Sequence, residues 1–224
     1  MIDRLLRFLF PPKCVLCKDL LTDRQTDFCH TCRKNTQSFT KLKFKPSFVA
    51  RWTGVWYYKD NVRSSILRYK FGNRRHYAPV YARQLAIKLQ TEGFDSFDIL
   101  TWVPVGFLRR LRRGYDQVQL LAMALGKEMN VTPVSTLKKI RNTPPQSGIP
   151  DASRRRANVL GAYRAVNPEF FAGKNILLLD DILTTGATAS ECARVLLTAG
   201  AAKVDLAVLA VASHNQSSKH NKNM

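Results

Sequence analysis

The sequence predicts an α/β fold with a mainly parallel sheet, preceded by a small cysteine-rich ribbon. Two patterns predict the sheet. Aromatic, β-branched or apolar runs alternate with segments of helical spacing, and several runs are apolar almost throughout rather than at every second residue. Strands covered by helices on both faces read this way. A third pattern predicts the ribbon: four of the five cysteines fall in two Cys-x-x-Cys pairs within the first 32 residues.

In chain order, residues 1–10 are apolar with charges interspersed and lack a small-residue cleavage site. They read as an amphipathic helix ending before Pro11-Pro12, not as a signal peptide. Residues 49–58 are aromatic and β-branched and predict a strand. Segments 62–69 and 77–90 have helical spacing. Residues 98–105 predict a strand running into a Pro-containing loop, and 115–129 a helix with Val118, Leu121, Ala122 and Leu125 on one face. Residues 175–180 form a continuous apolar strand, 188–199 a helix stopped at Gly200, and 204–212 a last strand. This divides the chain into a ribbon at 1–45, an α/β domain at 46–213 and a polar, disordered tail at 214–224.

Hydrophobic residues make up 45% of the 224, enough for a core, which excludes a globally disordered chain. The net charge is +20, from 36 Lys and Arg against 16 Asp and Glu. That imbalance points to an anionic partner: nucleic acid, a polyphosphate ligand or an anionic membrane surface. No apolar run approaches the roughly 18 residues a membrane span needs.

Cys14-x-x-Cys17 and Cys29-x-x-Cys32 are separated by eleven residues. Two such knuckles bring four thiolates to the spacing of a structural Zn²⁺ site with no open position. Disulfides or free thiols are the alternatives, and the cytosolic character of the rest of the chain weighs against disulfides. His30 sits inside the second knuckle but is not needed as a ligand. The ribbon's exposed side carries Lys13, Lys18, Arg24, Arg33 and Lys34, which suits nucleic acid or a protein partner. The ribbon could equally be a docking module without a ligand of its own. Cys192 reads as a helix-core residue.

The most specific string is Ile176-Leu177-Leu178-Leu179-Asp180-Asp181-Ile182-Leu183-Thr184-Thr185-Gly186-Ala187-Thr188. A buried strand delivers two carboxylates to its carboxyl end, where open α/β sheets bind ligands. Small hydroxyl residues and one glycine let backbone N–H groups curl around an anion, and the next helix points its N-terminus there. The string resembles the signature of type I phosphoribosyltransferases, which bind 5-phosphoribosyl 1-diphosphate (PRPP). The resemblance implies a phosphoribosyltransferase-type sheet. It implies that Asp180 and Asp181 contact the ribose hydroxyls and that Thr184, Thr185, Gly186, Ala187 and Thr188 hold the 5′-phosphate. It also implies Mg²⁺ carried mostly by the ligand's own oxygens. Pro104 and Val105, at the end of the preceding strand, join that site.

Three basic clusters accompany it: Lys70 with Arg74 and Arg75; Arg109, Arg110, Arg112 and Arg113; and Arg154, Arg155 and Arg156. Arginine forks suit a diphosphate or a nucleic-acid backbone. Lys70, Arg109 and Arg156 are the candidates for a catalytic contact with the diphosphate, and the two arginine clusters for nucleic acid. Residues 141–148 have the composition of a mobile lid or of an ordinary connection.

In order and company these motifs resemble the ComF family of bacterial competence proteins (ComF/GntX type). The matching elements are the four cysteines near Pro11-Pro12, Ile66 to Gly72 with Lys70, Val103-Pro104-Val105 with Arg-Arg-Gly-Tyr-Asp-Gln after it, Arg141 with Thr143 and Gln146, Arg156-Ala157-Asn158-Val159, and the Asp180-Asp181 loop. The resemblance implies a cytoplasmic protein of natural transformation that handles incoming single-stranded DNA alongside helicase-like or recombination partners. An active phosphoribosyltransferase of unknown acceptor and a PRPP or nucleotide sensor without turnover are the competing readings. The sequence has Tyr115-Asp116-Gln117 where Phe-Asn is frequent in the family, a neutral departure.

Overall fold

The computed structural model describes residues 10–22, 25–40, 44–94, 96–143 and 152–212. The expected first helix, most of the 141–148 lid segment and the polar tail lie outside the described residues.

Four strands form one parallel sheet in the order β1-β6-β5-β2: β1 (Trp52–Tyr57), β2 (Ile99–Trp102), β5 (Asn175–Leu183) and β6 (Lys203–Val211). The period of two along a strand divides the core. Leu177, Leu179, Ala207 and Leu209 point to one face. Ile176, Leu178, Val204, Leu206 and Val208 point to the other. The first face is covered by α2 (Asp60–Phe71), α3 (Ala78–Thr91) and α5 (Gln117–Met129). The second is covered by α7 (Ala187–Thr198), on which pack α6 (Ala152–Val159) and a two-stranded antiparallel ribbon of β3 (Leu137–Lys139) and β4 (Tyr163–Ala165). Burial on both faces explains the near-continuous apolar reading of β5 and β6.

Three elements differ from the sequence expectation. Strand β5 runs on through the acidic pair to Leu183, with Asp180 opposite Val208 and Ile182 opposite Ala210 in the ladder. The Pro-containing segment after β2 is not simply a loop: it winds into α4 (Phe107–Arg113), whose residues are all at least partly exposed. Its end is set by Gly114, at φ 76°, a left-handed conformation that costs glycine little. Cys29 caps a short helix, α1 (His30–Asn35), in a stretch for which the sequence predicts no element.

Within the ribbon, the first knuckle is a tight turn in which Lys18 N–H donates to the Cys14 carbonyl (2.9 Å) and Cys14 N–H to the Asp19 carbonyl (2.8 Å). The ribbon is seated on the α/β domain. Cys14, Val15, Leu16, Phe28 and Cys32 belong to the same buried cluster as Trp56, Ile66 and Tyr81, and Phe28 meets Trp56 edge-on at 6.0 Å. Helix α2 takes most of the polar contact. Ser65 Oγ and Arg68 Nη2 donate to the Val15 carbonyl (2.6 and 3.1 Å), and Arg68 Nη2 also reaches the Leu16 carbonyl at 2.5 Å. Asp27 receives a forked pair from Arg83 of α3, at 2.7 Å for the shortest contact. No helix among the described residues is long and apolar enough to cross a membrane.

Candidate functional site

At the carboxyl end of the sheet lies a cleft of about 850 Å³. Its floor is Asp180, Asp181 and Ile182 of β5, with Thr184 and Thr188 from the following turn and helix. Val103, Pro104 and Val105 enter from the end of β2, which pairs with β5 through Trp102 and Leu179. The turn 184–186 connects β5 to α7, so the helix N-terminus opens beside the acidic pair. Gly186 takes φ 74° and packs beneath the linker from the ribbon. A Cβ there would meet the Phe44 ring at 2.9 Å and Pro46 at 3.2 Å, so glycine is required twice over. Thr185 and Ala187 belong to the same turn and helix start but do not line the cleft.

Asp181 is held from two sides. Lys70 Nζ, at the end of α2, lies 2.9 Å from Oδ1, and Gln117 Nε2, at the start of α5, donates to Oδ2 at 2.8 Å. Gln117 Oε1 in turn accepts from Arg113 Nη1 (2.8 Å). The two helices that bring Lys70 and Gln117 are themselves tied. Tyr69 Oη donates to the Gln117 carbonyl (2.7 Å), and Tyr115 Oη donates to the Tyr69 carbonyl. Asp116 caps α5 by accepting from Val118 N–H (2.9 Å) and Gln119 N–H (3.0 Å), and its second oxygen accepts from Val105 N–H (3.0 Å). One carboxylate thus fixes both the start of α5 and the strand-end segment of the cleft. Burial pushes its pKa up, against these three N–H contacts that lower it.

Asp180 accepts the Asp181 N–H at 2.8 Å. Burial pushes its carboxyl up to about 8, the adjacent Asp181 charge adding to the effect, so near neutrality it keeps its proton. A cation arriving with a ligand would expel it.

Helix geometry sorts the 109–113 arginines. Arg109, Arg112 and Arg113 share a face at i, i+3 and i+4 and line the cleft, whereas Arg110 is exposed outside it. Arg109 Nη2 donates to the Thr143 carbonyl (2.7 Å), and burial lowers the pKa of Arg113. Arg75, from the Lys70 cluster, lines the cleft too and lies 4.8 Å above the Tyr115 ring. Arg154, on α6, is exposed and is absent from the cleft lining. Arg155 and Arg156 belong to the same helix, but their side chains fall outside the described residues.

Sequence reading missed Gln117, Lys139 and Tyr163. Lys139 Nζ donates to Thr143 Oγ1 (3.0 Å) and sits 5.1 Å over the Tyr163 ring. Burial and the Arg109 charge lower its pKa to about 8. Both residues come from the β3–β4 pair, whose three-residue strands leave almost no periodic signal. Gln117 could have been suspected from its place just after a cap-forming Asp116.

The second candidate site is the cysteine cluster. The four Sγ atoms of Cys14, Cys17, Cys29 and Cys32 lie within 4.8 Å of one another. Ideal tetrahedral Zn–S bonds would put them about 3.8 Å apart, so the donor set fits zinc. The Cys17–Cys29 separation of 3.5 Å is far beyond a disulfide bond, which has S–S near 2 Å. At Cys14 burial works to raise the thiol pKa, but N–H groups of Cys17, Cys29 and Leu16 turned on the sulfur outweigh it and hold it low. Asn61 Nδ2 of α2 reaches Cys32 Sγ at 3.7 Å. His30 is exposed on α1 and is not among the clustered donors.

Comparison with known proteins places a family match on each of the two regions. The phosphoribosyl transferase domain family matches residues 111–224, and the double zinc ribbon domain family matches residues 5–42. One tetra-cysteine cluster is present among the described residues. Competence protein F of Haemophilus influenzae is 26% identical over 87% of this chain and 94% of its own length. The DNA utilization protein YhgH of Escherichia coli K12 is 30% identical over 72% of each chain. Competence protein ComFC of Bacillus subtilis is 28% identical over 66% of this chain and 58% of its own. Among solved structures, the allosteric regulatory enzyme of purine biosynthesis aligns at 20% identity and a TM-score of 0.42, over 63% of this chain and 29% of that one. A chain that matches the transferase domain over half its length, and a DNA utilization protein at 30% identity over most of it, is a member of the ComF family of competence and DNA-uptake proteins with a phosphoribosyltransferase-like domain.

Proposed function

We propose that this protein handles single-stranded DNA entering the cytoplasm during natural transformation, and that its cleft is a PRPP-type binding site. The observation that carries the reading is the cleft itself. One helix face sends Arg109, Arg112 and Arg113 into the space that also holds Asp180, Asp181, Thr184 and Thr188. Phosphate chemistry and backbone-tracking charge meet at one sheet end. The names of the relatives, competence protein and DNA utilization protein, support the DNA context, and the net charge of +20 supports a polyanionic partner. Helicase-like or recombination proteins are the partners this role calls for.

Zinc would be held by Cys14, Cys17, Cys29 and Cys32, where it supplies folding energy and no open coordination position. Mg²⁺ would arrive on ligand oxygens next to Asp180 and Asp181. The carboxylate pair beside an anion-binding turn suits it.

A second reading, turnover of PRPP, is favoured by the fixing of Asp181 between Lys70 and Gln117. In that chemistry the chain positions and stabilises. The 184–188 turn holds the 5′-phosphate, and Arg109 and Lys70 are placed to meet the leaving diphosphate. One set of assays separates the readings. DNA affinity that falls steeply with salt, with a slope lowered by about one for Arg112→Ala, supports DNA handling. Diphosphate release from PRPP that needs Asp180 and Asp181 supports turnover. PRPP binding with neither leaves a sensor, and absence of DNA binding at low salt removes the direct-contact form of the proposal.

A further inference from the structure

The cleft carries more positive charge than a sugar phosphate needs. Six cationic side chains line it, Lys70, Arg75, Arg109, Arg112, Arg113 and Lys139, against the two carboxyls of Asp180 and Asp181. Lys70 is matched to Asp181. Arg75, Arg109 and Lys139 donate to neutral oxygens of Gly114 and Thr143, and Arg113 to the amide of Gln117. Among the described residues none of these four is paired with a carboxylate. The acidic pair does not offset them: Lys70 neutralises Asp181, and Asp180 holds its proton near neutral pH.

The surplus is gathered on one wall, since Arg109, Arg112 and Arg113 share one face of α4 within a single helical turn, and Arg113 reaches Gln117 beside Asp181. An exposed aromatic ring accompanies it: Phe71, in the cleft lining, is 66% exposed with the Arg113 guanidinium 4.7 Å from its ring centre. Clustered cations suit the phosphates of a strand, and an exposed ring beside an arginine suits an unpaired base. A free sugar diphosphate uses the cations but brings no base to the ring. The cleft floor, by contrast, offers a place for one terminal phosphate, on the 184–188 turn at the N-terminus of α7.

We infer that the cleft receives the 5′ end of a single nucleic-acid strand. The terminal 5′-phosphate sits at Thr184 and Thr188, the following phosphates meet the Arg109, Arg112 and Arg113 wall, and the first base meets Phe71. The inference rests on the DNA-handling reading and narrows it from a strand to its end. The chemistry recognised on the floor is a 5-phosphopentosyl group, which a free sugar phosphate and a strand terminus both present.

The test uses the zinc-loaded full chain and an oligothymidine of about 15 nucleotides, labelled at its 3′ end and carrying either a 5′-phosphate or a 5′-hydroxyl. Fluorescence anisotropy reads both affinities in one buffer. The 5′-phosphate is expected to strengthen binding about tenfold, as a charge-assisted contact would. Ribose 5-phosphate is expected to compete away that gain and leave the 5′-hydroxyl affinity unchanged. Thr185→Glu, which brings a charge to the turn from outside the cleft lining, should erase the tenfold difference alone. Arg112→Ala should weaken both oligonucleotides equally, which also shows that the fold tolerates substitution at the cleft. Equal affinities for the two ends, with DNA binding intact, overturn the inference and leave the DNA-handling reading standing. Ribose 5-phosphate that binds without affecting the phosphorylated strand overturns it too, in favour of a free sugar phosphate. No binding of either strand overturns both.

Discussion

Cys14 and Cys32 in the ribbon are as buried as Leu177 and Leu178 in the central strand, each at 3% exposure or less. The burial comes about differently. Leu177 and Leu178 sit in a sheet whose two faces are each covered by helices. Among its described residues the ribbon has one short helix and one internal bridge, Lys13 to Leu20, and its apolar residues join a cluster with residues of α2, α3 and β1. One region is stabilised by its own core, the other by ligand bonds and by the surface beneath it. Similar accessibility therefore conceals opposite responses to perturbation.

The sharpest test of that contrast is Cys32→Ser. It removes a metal donor whose loss undoes a binding free energy of about 10 kcal/mol in small zinc modules. Bound zinc should fall well below one per chain. Amide exchange should accelerate across 13–36 and then along the ribbon-facing turns of α2, while β5 and β6 stay protected; uniform protection after zinc loss would contradict it. The next effect is Leu177→Ala, with a cost of about 3–5 kcal/mol in urea unfolding from the cavity left in a fully buried site. Zinc should stay bound until the global transition.

A smaller effect is expected for Arg68→Ala. Its guanidinium satisfies the Val15 and Leu16 carbonyls, so about 1–3 kcal/mol should be lost. The loss should appear as easier removal of zinc by chelator, with the urea slope of the sheet domain unchanged.

A pH-dependent effect concerns Asp180. Its folded pKa of about 8 stands above the unfolded value of 3.8. Between those limits the unfolded chain has released a proton that the folded chain keeps, so stability falls as pH rises. Asp180→Asn removes the slope. The variant should melt with the wild type near pH 4 and about ten degrees above it by pH 8, measured without divalent ions. A constant difference across that range would refute the assignment.

The sheet was legible because burial on both faces leaves continuous apolar runs at 175–180 and 204–212, and nothing but a buried parallel strand explains them beside helical spacing. The strand end was misjudged by three residues. Asp180 and Asp181 look like a boundary in sequence, yet their backbones stay in the β6 ladder while their side chains face the cleft. Helix α4 was illegible for a related reason. Hydrophobic periodicity reports packing, and α4 packs almost nothing: Phe107, Leu108 and Leu111 are 56–70% exposed. The acidic pair, Lys70 and Arg109 could be named from sequence because their residue types are rare in such positions. Lys139 and Tyr163 could not, since their roles depend on which short strands converge, which a linear pattern does not encode; Gln117 had only its place after Asp116 to mark it.

The seating of the ribbon has a practical consequence for anyone cutting the chain in two. A shortened protein beginning at residue 46 would lose Phe44 from above Gly186 and uncover Trp56, Tyr81 and the ribbon-facing side of α2 at once. It would present a sticky aromatic surface next to an unsupported anion turn. Aggregation or weak ligand binding by such a fragment would describe the cut edge, and the ribbon is better regarded as the stopper of the sheet domain than as an appendage to it.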